Sequence, residues 1–582
     1  MKSTDHPHLH ALAGIAFTLS VAVTADAQEL ITNGDFSATP DLSDWTQASW
    51  AGGSSFGLNA NGPTDTSTAS GNYAYAGGGT YNLLQQNVAV TTGSAYRLTF
   101  LAGSKAGDGS TFGNLSLRQE ALDNYNSAGF DYRPSDAAFG SYTVDFVADT
   151  STVGVWLRND LGGYAAYDNV SVTPIGGVTH ALNYSAASGF TEITSALTGS
   201  GKVTTNAGAG GLSLTGSNSY TGGTEVTGGT LYVTGSATLG DAGGTVTVSG
   251  SGVLDVRNAQ TRTGVITMTG QDARIISTDG GGSIVNNGGA FQFGGGQLQV
   301  PISGTGGLNV TGGGSITSAN SYTGPTTISA TAGWYETNTF FVDNAAALGD
   351  AAADLTITGG IVSLANNTIT RTGAVAITGG GVYTGTLSKD SGVYDIQGGQ
   401  IDAVLAGDAG LTKSGSGDAS LTGSNTYTGA TTVSAGTLLV TGALTSDVSI
   451  GANASLGGGG TVGALTFAQD SFFDVFMAIG GNPMDSTGTI SFSGIGFGID
   501  NLLSAGSVID WSTIDGGIYT LVSGTLDSTN LDNFGLANAY NLGGGRQAYF
   551  QNGSLQLVVI PEPRVALLGG LGMLALLRRR RD

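Results

Sequence analysis

The chain has 582 residues, including 100 glycines and no cysteine, and 19 basic against 42 acidic residues give a formal net charge of −23. The absence of cysteine excludes disulfides, thiolate metal sites and cysteine nucleophiles, and the acidic balance disfavours nucleic acid, whose phosphates require basic patches. A hydrophobic content of 40% argues against disorder, and glycine without a three-residue period, with only 10 prolines, excludes collagen.

Residues 1–27 have the features of a secretory signal peptide. A mostly apolar run at 12–23 is followed by Ala25 and Ala27, the small residues that signal peptidase requires before its cleavage site. The mature chain is therefore expected to begin at Gln28 and to lie outside the cytoplasm. The alternative is a short buried helix.

Residues 28–175 are expected to form a β-sandwich. The segment contains three of the five tryptophans and stretches in which apolar and polar residues alternate, such as 95–103, 142–147 and 153–157. A period of two indicates strands with one buried face, and the spacing of these stretches is typical of a sandwich.

The two ends of this segment, NGDF at 33–36 and DNVSV at 168–172, resemble galactose-binding-like jelly rolls of the carbohydrate-binding type. The resemblance implies a structural Ca²⁺ near the first and last strands, at the positions of Asp35 and Asp168, and oxygen ligands suit this ion. In the alternative, Asp168 and Asn169 only form the turn into the last strand. A jelly roll also hosts modules that bind nothing, so the fold alone does not establish a ligand.

Aromatic side chains of this segment are candidate sugar contacts, because an aromatic ring offers a flat apolar face. Trp156 alternates with Val153 and Val155 and is expected in the core. The residues expected to be exposed, and therefore the candidate ligand-binding residues, are Trp50, Tyr73 and Tyr75.

Residues 176–465 contain a long repeat. The stretch 214–235 returns at 421–442 with 16 of 22 positions identical, and a weaker copy covers 320–329. The marker tyrosines of the copies, 102 and 105 residues apart, are Tyr220, Tyr322 and Tyr427. Repetition at a fixed period indicates a solenoid, in which each unit packs only against its neighbours.

Within a unit, short apolar alternations are separated by glycine, asparagine, serine and threonine every 7 to 12 residues. The alternation predicts strands, and glycine and asparagine suit corners with positive φ. No window has a sustained helical period. We therefore expect a parallel β-helix in which each unit of about 105 residues forms several coils.

The stretches 210–233 and 409–440 resemble the autotransporter-associated β-strand repeat of bacterial passenger domains. The resemblance implies a right-handed β-helix on a cell surface, and it implies no reaction.

Candidate catalytic residues are few. His180 is the one histidine after the signal peptide, and residues 176–559 include only three glutamates. No zinc site is expected without histidine or cysteine clusters, and a Ser-His-Asp site could use only His180. Arg262 and Arg371 recur at equivalent places, which indicates a structural role. We expect no enzyme; the alternative is a β-helix polysaccharide lyase or hydrolase with acidic catalytic residues.

Residues 466–559 do not continue the repeat, and aromatic residues are more frequent in them than in the repeat. An open solenoid end exposes a sheet edge, so this segment is expected to be a β-rich cap.

Residues 560–582 combine three features. An apolar run at 565–577 lies between Pro561, Glu562 and Pro563 and the basic residues Arg578, Arg579, Arg580 and Arg581. This pattern resembles a PEP-CTERM sorting signal, which implies cleavage by an exosortase-type transpeptidase. Thirteen helical residues span about 20 Å, less than the hydrocarbon core of about 30 Å. The short helix is therefore expected to anchor the chain in the inner membrane only transiently.

These predictions describe an all-β, exported, non-catalytic surface or extracellular-matrix protein of adhesin type. Its β-helix would be a stalk, and its jelly roll a tip that contacts extracellular polysaccharide. The alternative is a dedicated carbohydrate-binding module for which the β-helix is a spacer.

Overall fold

The computed structural model describes residues 29–32, 36, 42, 44–49, 55–59, 73–77, 82–104, 114–118, 132–134, 140–148, 150–159, 164–186, 189–194, 196–330, 339–475, 482–504 and 506–561. The protein is all-β, with 54% of residues in strands and 2% in helices, and it forms a β-solenoid of about 14 turns. This confirms the predicted β-helix, whose right-handed sense stays a prediction. The helices of the described residues are short 3-10 turns at Ile499–Asn501, Trp511–Thr513 and Leu536–Asn538.

The N-terminal region consists of two antiparallel sheets. One has the order β1 (Thr46–Ser49), β4 (Asn82–Ala89), β9 (Thr152–Asn159) and β6 (Asn114–Arg118). The other has the order β2 (Ser55–Asn59), β3 (Tyr73–Gly77), β10 (Tyr164–Ile175), β5 (Ala95–Ser104) and β8 (Gly140–Val147). Alternating apolar residues of both sheets, such as Val155 and Phe100, belong to one buried core. The jelly-roll topology stays a prediction.

Each solenoid coil contributes strands to two long parallel faces, and many coils add a third. The first face contains β11 (His180–Ala186), β13 (Lys202–Leu214), β14 (Thr224–Val233), β15 (Val246–Ser249), β18 (Ile266–Thr269), β21 (Phe291–Gly294), β24 (Leu308–Val310), β26 (Thr326–Ser329), β28 (Leu355–Gly359), β31 (Val375–Ile377), β34 (Val393–Ile396), β37 (Gly410–Lys413), β40 (Thr431–Val433), β43 (Val448–Ile450), β46 (Leu465–Ala468) and part of β48 (Met484–Ser493).

The second face contains β12 (Phe190–Ile193), the later parts of β13 and β14, β16 (Val253–Val256), β19 (Arg274–Ile276), β22 (Gly296–Leu298), β25 (Gly314–Ile316), β27 (Thr339–Val342), β29 (Ile361–Ser363), β32 (Gly381–Tyr383), β35 (Gly399–Ile401), β38 (Asp418–Leu421), β41 (Gly436–Val440), β44 (Ala454–Gly457), β47 (Phe472–Asp474) and β49 (Leu502–Ser504). The third face contains β17 (Ala259–Arg262), β20 (Ser283–Asn286), β23 (Ile302–Ser303), β30 (Thr368–Thr370), β33 (Thr386–Ser388), β36 (Val404–Ala406), β39 (Ser424–Asn425), β42 (Ala443–Leu444) and β45 (Thr461–Val462).

Aliphatic side chains stack in register inside the solenoid, because successive coils pair residue by residue. On the second face Leu231, Leu254, Ile275 and Leu298 are directly stacked neighbours, and all are 0% exposed. The alternation seen in the sequence is therefore the alternation between this interior and the outer surface. Five first-face steps separate Thr224 from Thr326, so one long repeat consists of five coils.

The N-terminal region and the solenoid share one β-sheet. β8 pairs antiparallel with β11, and β11 pairs parallel with β13, so the sheet continues into the first face. β7 (Tyr132–Pro134) likewise pairs with β12 of the second face. The ring of Tyr142 stacks on Phe100 at 4.8 Å, and its hydroxyl is 2.7 Å from that of Thr191. In the described residues of this junction, the two parts are therefore joined by direct strand pairing.

A buried carboxylate fixes the chain at this junction. Asp145 on β8 accepts hydrogen bonds from Arg97 at 2.8 and 3.0 Å and from the backbone N–H groups of Thr179 and His180 at 2.9 Å. Its side chain is 0% exposed. Burial alone raises the pKa of Asp145, but the hydrogen bonds outweigh it and hold the pKa below its ordinary value.

We expect Asp145→Asn to lower the free energy of unfolding by about 2 kcal/mol at neutral pH, because charge-assisted hydrogen bonds are lost. A lowered folded-state pKa stabilises the fold above the unfolded-state pKa, and this contribution disappears as the pH falls through the folded-state pKa. The stabilities of parent and variant, measured by urea unfolding, should therefore converge in acid. An equal difference in unfolding free energy between parent and Asp145→Asn at neutral and at acidic pH would contradict a stabilising role of the Asp145 carboxylate.

The C-terminal end changes from parallel to antiparallel pairing. β48 pairs parallel with β45, β46 and β51 (Gly517–Leu526). An antiparallel sheet of β51, β54 (Leu555–Ile560), β53 (Arg546–Gln551) and β52 (Tyr540–Gly543) follows, and β50 (Ser507–Val508) pairs with β49. At this end of the solenoid the ring centroids of Phe467 and Phe497 are 5.0 Å apart. The rings of Phe473 and Phe492 pack against this pair.

β54 ends at Ile560, and the exposed Pro561 follows directly. In the part of the chain that the structure describes, no helix has the length and apolar character needed to cross a membrane. The predicted apolar helix at 565–577 lies outside that part and stays a prediction.

Candidate functional site

The structure describes some of the predicted site residues, and the others lie outside its described ranges. The structure describes Asp168, Pro561 and the backbone of Tyr73 and Tyr75. Outside the described residues lie Ala25, Ala27, Asp35, Trp50, Glu562, Pro563, Arg578, Arg579, Arg580 and Arg581. Tyr73 and Tyr75 lie on β3, which pairs with β2 and β10.

Trp156 marks a different surface, the outer side of the four-stranded sheet. It is 5% exposed, as expected for a buried residue, but it lies on the opposite side of β9 from Val153, Val155 and Leu157. Those three residues belong to the main core, and Trp156 does not. The period of two, applied strictly, could have shown this from the sequence.

The indole ring is held above a glycine. A Cβ on Gly154 would lie 2.7 Å from Trp156 Nε1 and 3.3 Å from Asn87 Oδ1. Gln85, 7% exposed, lies opposite Trp156 in the pairing of β4 with β9, and Asn87 lies opposite Gly154. The sheet thus brings one indole and two amides together, a combination of flat apolar surface and hydrogen-bonding groups that suits neutral polar ligands.

Gly154→Leu is expected to displace the indole, because its Cβ would meet Trp156 Nε1 at 2.7 Å. Tryptophan fluorescence should shift while the β-rich circular dichroism is retained. Val90→Ala, a partly buried position outside the outer face, is the control. Unchanged fluorescence of Gly154→Leu would show that the ring does not occupy this place.

Asp168 lies at a break in the pairing of β10 with β5. It is 1% exposed, the register shifts between Asp168 and Ser171, and Asn169 has a φ of 50°. One carboxylate oxygen of Asp168 accepts a hydrogen bond from the backbone N–H of Asn169 at 2.8 Å. This geometry is that of a β-bulge inside β10, and not of a turn that precedes the strand. Among the described residues no group of three or more histidine, acidic or cysteine side chains suits a metal, and Asp35 lies outside them.

The calcium ion therefore stays a prediction. If Asp35 and Asp168 hold Ca²⁺, EDTA lowers the melting temperature of the mature chain and added Ca²⁺ restores it, because the ion binds only the folded state. Asp168→Asn should melt lower and no longer respond to EDTA. A parent melting temperature that is insensitive to EDTA would eliminate the ion.

The repeated signature of the solenoid is an internal structure. Each copy reads Asn-x-Tyr-Thr-Gly-x-Thr, and the tyrosine hydroxyl lies 2.6–2.8 Å from the hydroxyl of the last threonine. Tyr220 is 0% exposed, and burial raises its pKa to about 12. The glycine is required because a Cβ on Gly222 would lie 2.5 Å from the backbone of Gly201 in the preceding coil. The asparagine, the tyrosine and the last threonine of each copy are buried and therefore cannot contact a ligand.

The two recurring arginines are also internal. Arg262 and Arg371 are each 1% exposed, and burial lowers the pKa of both. Arg371 donates to the carbonyl oxygens of Leu348 and Ala353 at 3.0 and 2.8 Å. Arg262 makes equivalent bonds one repeat earlier. Both arginines hold successive coils together, which agrees with the structural role predicted from their recurrence.

The Passenger-associated-transport-repeat family matches this chain at residues 205–233 and 411–440. A solved structure described as "CBM4 structure and function" is similar over 25% of this chain and 99% of that chain, with 17% identity and a TM-score of 0.18. No curated protein matches the chain. The passenger-associated repeats and the β-solenoid together fit an autotransporter-like protein that is secreted or located at the cell surface.

Proposed function

We propose that the protein is an exported, non-catalytic surface or matrix component, in which the solenoid is a stalk that presents the N-terminal region to extracellular polysaccharide. The observation that carries this proposal is the sheet shared by β8, β11 and β13. A region joined by backbone hydrogen bonds to a solenoid is held in a fixed direction, as a presented tip requires.

The dimensions suit a spacer. Coils of a parallel solenoid are about 4.8 Å apart, so about 14 turns extend about 65 Å. The N-terminal region lies at the first coil and β54 at the last, so a C-terminal anchor would hold the opposite end from the tip. This order supports a stalk that projects from a membrane or matrix attachment.

Export and sorting belong to the same proposal. Signal peptidase would release the chain after Ala27, and an exosortase-type transpeptidase would act near Pro561, Glu562 and Pro563. Pro561 supports this because it follows the last strand and is exposed, where a protease can reach it. The basic residues 578–581 would resist translocation, each costing about 2.5–3.5 kcal/mol at the bilayer centre.

Mass spectrometry of the surface protein tests this part. We expect an N-terminus at Gln28 and a C-terminus close to Pro563. Replacing Pro561 and Pro563 by alanine should leave insertion intact and make uncleaved chain accumulate in the membrane. Surface protein that still ends at Asp582 would refute sorting by cleavage.

We assign the glycan contact to the outer side of the four-stranded sheet, at Trp156, Gln85 and Asn87. The Trp156 indole and the Gln85 amide are buried and the Asn87 amide is exposed, and this combination of an apolar ring with hydrogen-bonding groups supports a neutral sugar ligand. A glycan array probed with the mature parent and with Trp156→Ala tests it, and Val90→Ala is again the control. Equal binding by all three proteins would contradict the assignment.

The alternative function is a dedicated binding module with the solenoid as a mere spacer. A fragment of residues 28–175 cannot test this alternative, because it would leave β8 without its partner strand β11. A fragment of residues 28–214 keeps both of the first coil's strands and their β13 partners. Full glycan binding and matrix retention by that fragment would favour the alternative.

A further inference from the structure

The outer side of the second face carries four aromatic residues that form two pairs. Phe190, Tyr232, Phe341 and Tyr383 all occupy outward positions, and we call them the aromatic stripe. Phe190 and Phe341 are 39% and 38% exposed. Within each pair the members lie two coils apart, which is about 10 Å along the axis.

The first face is different. Its central outward positions run in register from Thr204 to Ser491, and they are mostly threonine and serine, with no aromatic residue among them. Outward positions of this solenoid therefore do not require aromatic rings for stability. The stripe on the second face needs another explanation.

The first pair forms a fixed platform. The rings of Phe190 and Tyr232 are 5.7 Å apart, and both lean over Gly211, whose Cβ would lie 3.2 and 3.0 Å from them. Arg257 lies 4.7 Å above the Tyr232 ring and is held by a 2.9 Å ion pair with Asp255, whose side chain is 0% exposed.

The second pair stands in an open row. Phe341 lies between Ser315 and Ser363 on the neighbouring coils, so small side chains flank its ring on both sides. Tyr383 follows Ser363 in the same row, and its ring covers Gly381, where a Cβ would lie 2.2 Å from Cε2. A need to cover glycine explains Tyr383, and the two rings over Gly211 serve that need as well. It does not explain an exposed phenylalanine between two serines.

The aromatic and hydroxyl side chains of the second face indicate which class of partner would bind there. Aromatic rings pack against the C–H face of a sugar, and the serine and threonine hydroxyls beside them can bond to its hydroxyls. The chain carries a net charge of −23, which disfavours acidic polymers. Two pairs on one face of the stack, several coils apart, suit a linear polymer better than a short ligand.

We propose that the aromatic stripe is a binding surface for a linear neutral polysaccharide, which lies along the second face of the solenoid. The stalk is then itself a polysaccharide-binding element. This inference goes beyond the proposed function and depends neither on the Trp156 site nor on sorting.

Affinity electrophoresis of the mature chain tests it, in native gels that contain hydroxyethyl cellulose, laminarin or alginate. At least one of the two neutral polymers should retard the parent more than alginate does. Phe190→Ala with Phe341→Ala should weaken the apparent affinity about tenfold or more, since stacking on one ring is worth that much for nucleic-acid bases. Phe190→Trp with Phe341→Trp should preserve it.

Controls separate this surface from folding and from the tip. Thr327→Ala with Thr432→Ala removes outward side chains of the first face and should leave retardation unchanged. Circular dichroism must show every variant folded. Gly154→Leu reports on the Trp156 site alone. The proposal is overturned if neither neutral polymer retards the parent, if alginate retards it as strongly, or if the phenylalanine-to-alanine variant is retarded like the parent.

Discussion

Deleting residues 221–322 is expected to give a folded protein that is shorter by about 24 Å, because the deletion removes five coils of about 4.8 Å each. It joins Tyr220 to Thr323, and the sequence Asn-Ser-Tyr-Thr-Gly is the same at both sites. The first-face strand after the new junction is β26, which takes the place of β14 above β13. Each coil contacts only its neighbours, so the remaining stack keeps its pairing.

A deletion that breaks the coil is the matched control. Removing residues 221–311 joins Tyr220, just before a first-face strand, to Gly312, just after one. The first coil after the junction then has no first-face strand, and its inward residues lose their register. We expect this variant to aggregate or to lose its β-rich circular dichroism, although it retains more of the sequence.

Small-angle scattering measures the maximum dimension, and circular dichroism measures the folded content. Unfolding of the 221–322 deletion would contradict stacking between neighbours only. Equal behaviour of the two deletions would show that the coil register does not matter.

The sequence predicted the interior well and the outside poorly. Apolar alternation identified the strands, and the recurrence of Tyr220 and Tyr322 identified equivalent coils. Polar residues of the interior are less visible: Lys413 stands in the inward stack above Ile396, and its ammonium donates to three carbonyl oxygens. A lysine next to serine and glycine looks like a surface turn when only the sequence is read.

Outward neighbours could not be predicted because the coils differ in length. Phe291 pairs with Leu308 after 17 residues, whereas Thr326 pairs with Leu355 after 29. The partner of an outward residue therefore depends on each turn between them, and the stripe emerges only when the pairing is known. Within one strand no such uncertainty exists, and the side of β9 on which Trp156 lies follows from alternation alone.

Asn320→Asp should be among the most damaging single substitutions in the solenoid. Asn320 is 5% exposed and bridges two coils: its oxygen accepts from the backbone N–H of Ile302 at 2.8 Å, and its amide donates to the carbonyl of Ala347 at 2.6 Å. Asn218 makes the same kind of bridge one repeat earlier. Aspartate can still accept from Ile302, but it would place a negative oxygen against the Ala347 carbonyl.

We expect Asn320→Ala to cost about 3–5 kcal/mol, since two buried backbone groups lose their partner, and Asn320→Asp to cost at least as much. Asn309→Ala is the control, because Asn309 points outward and donates only to the side chain of Gln292; such surface changes cost about 0.5 kcal/mol or less. Urea unfolding with unchanged m-values measures all three. If Asn320→Asp is no more costly than Asn309→Ala, the amide does not bridge the coils. If Asn320→Ala is costly and Asn320→Asp is not, the hydrogen bond from Ile302 alone stabilises this corner. The asparagine then recurs in the copies because of its side-chain oxygen and not because of its NH2 group.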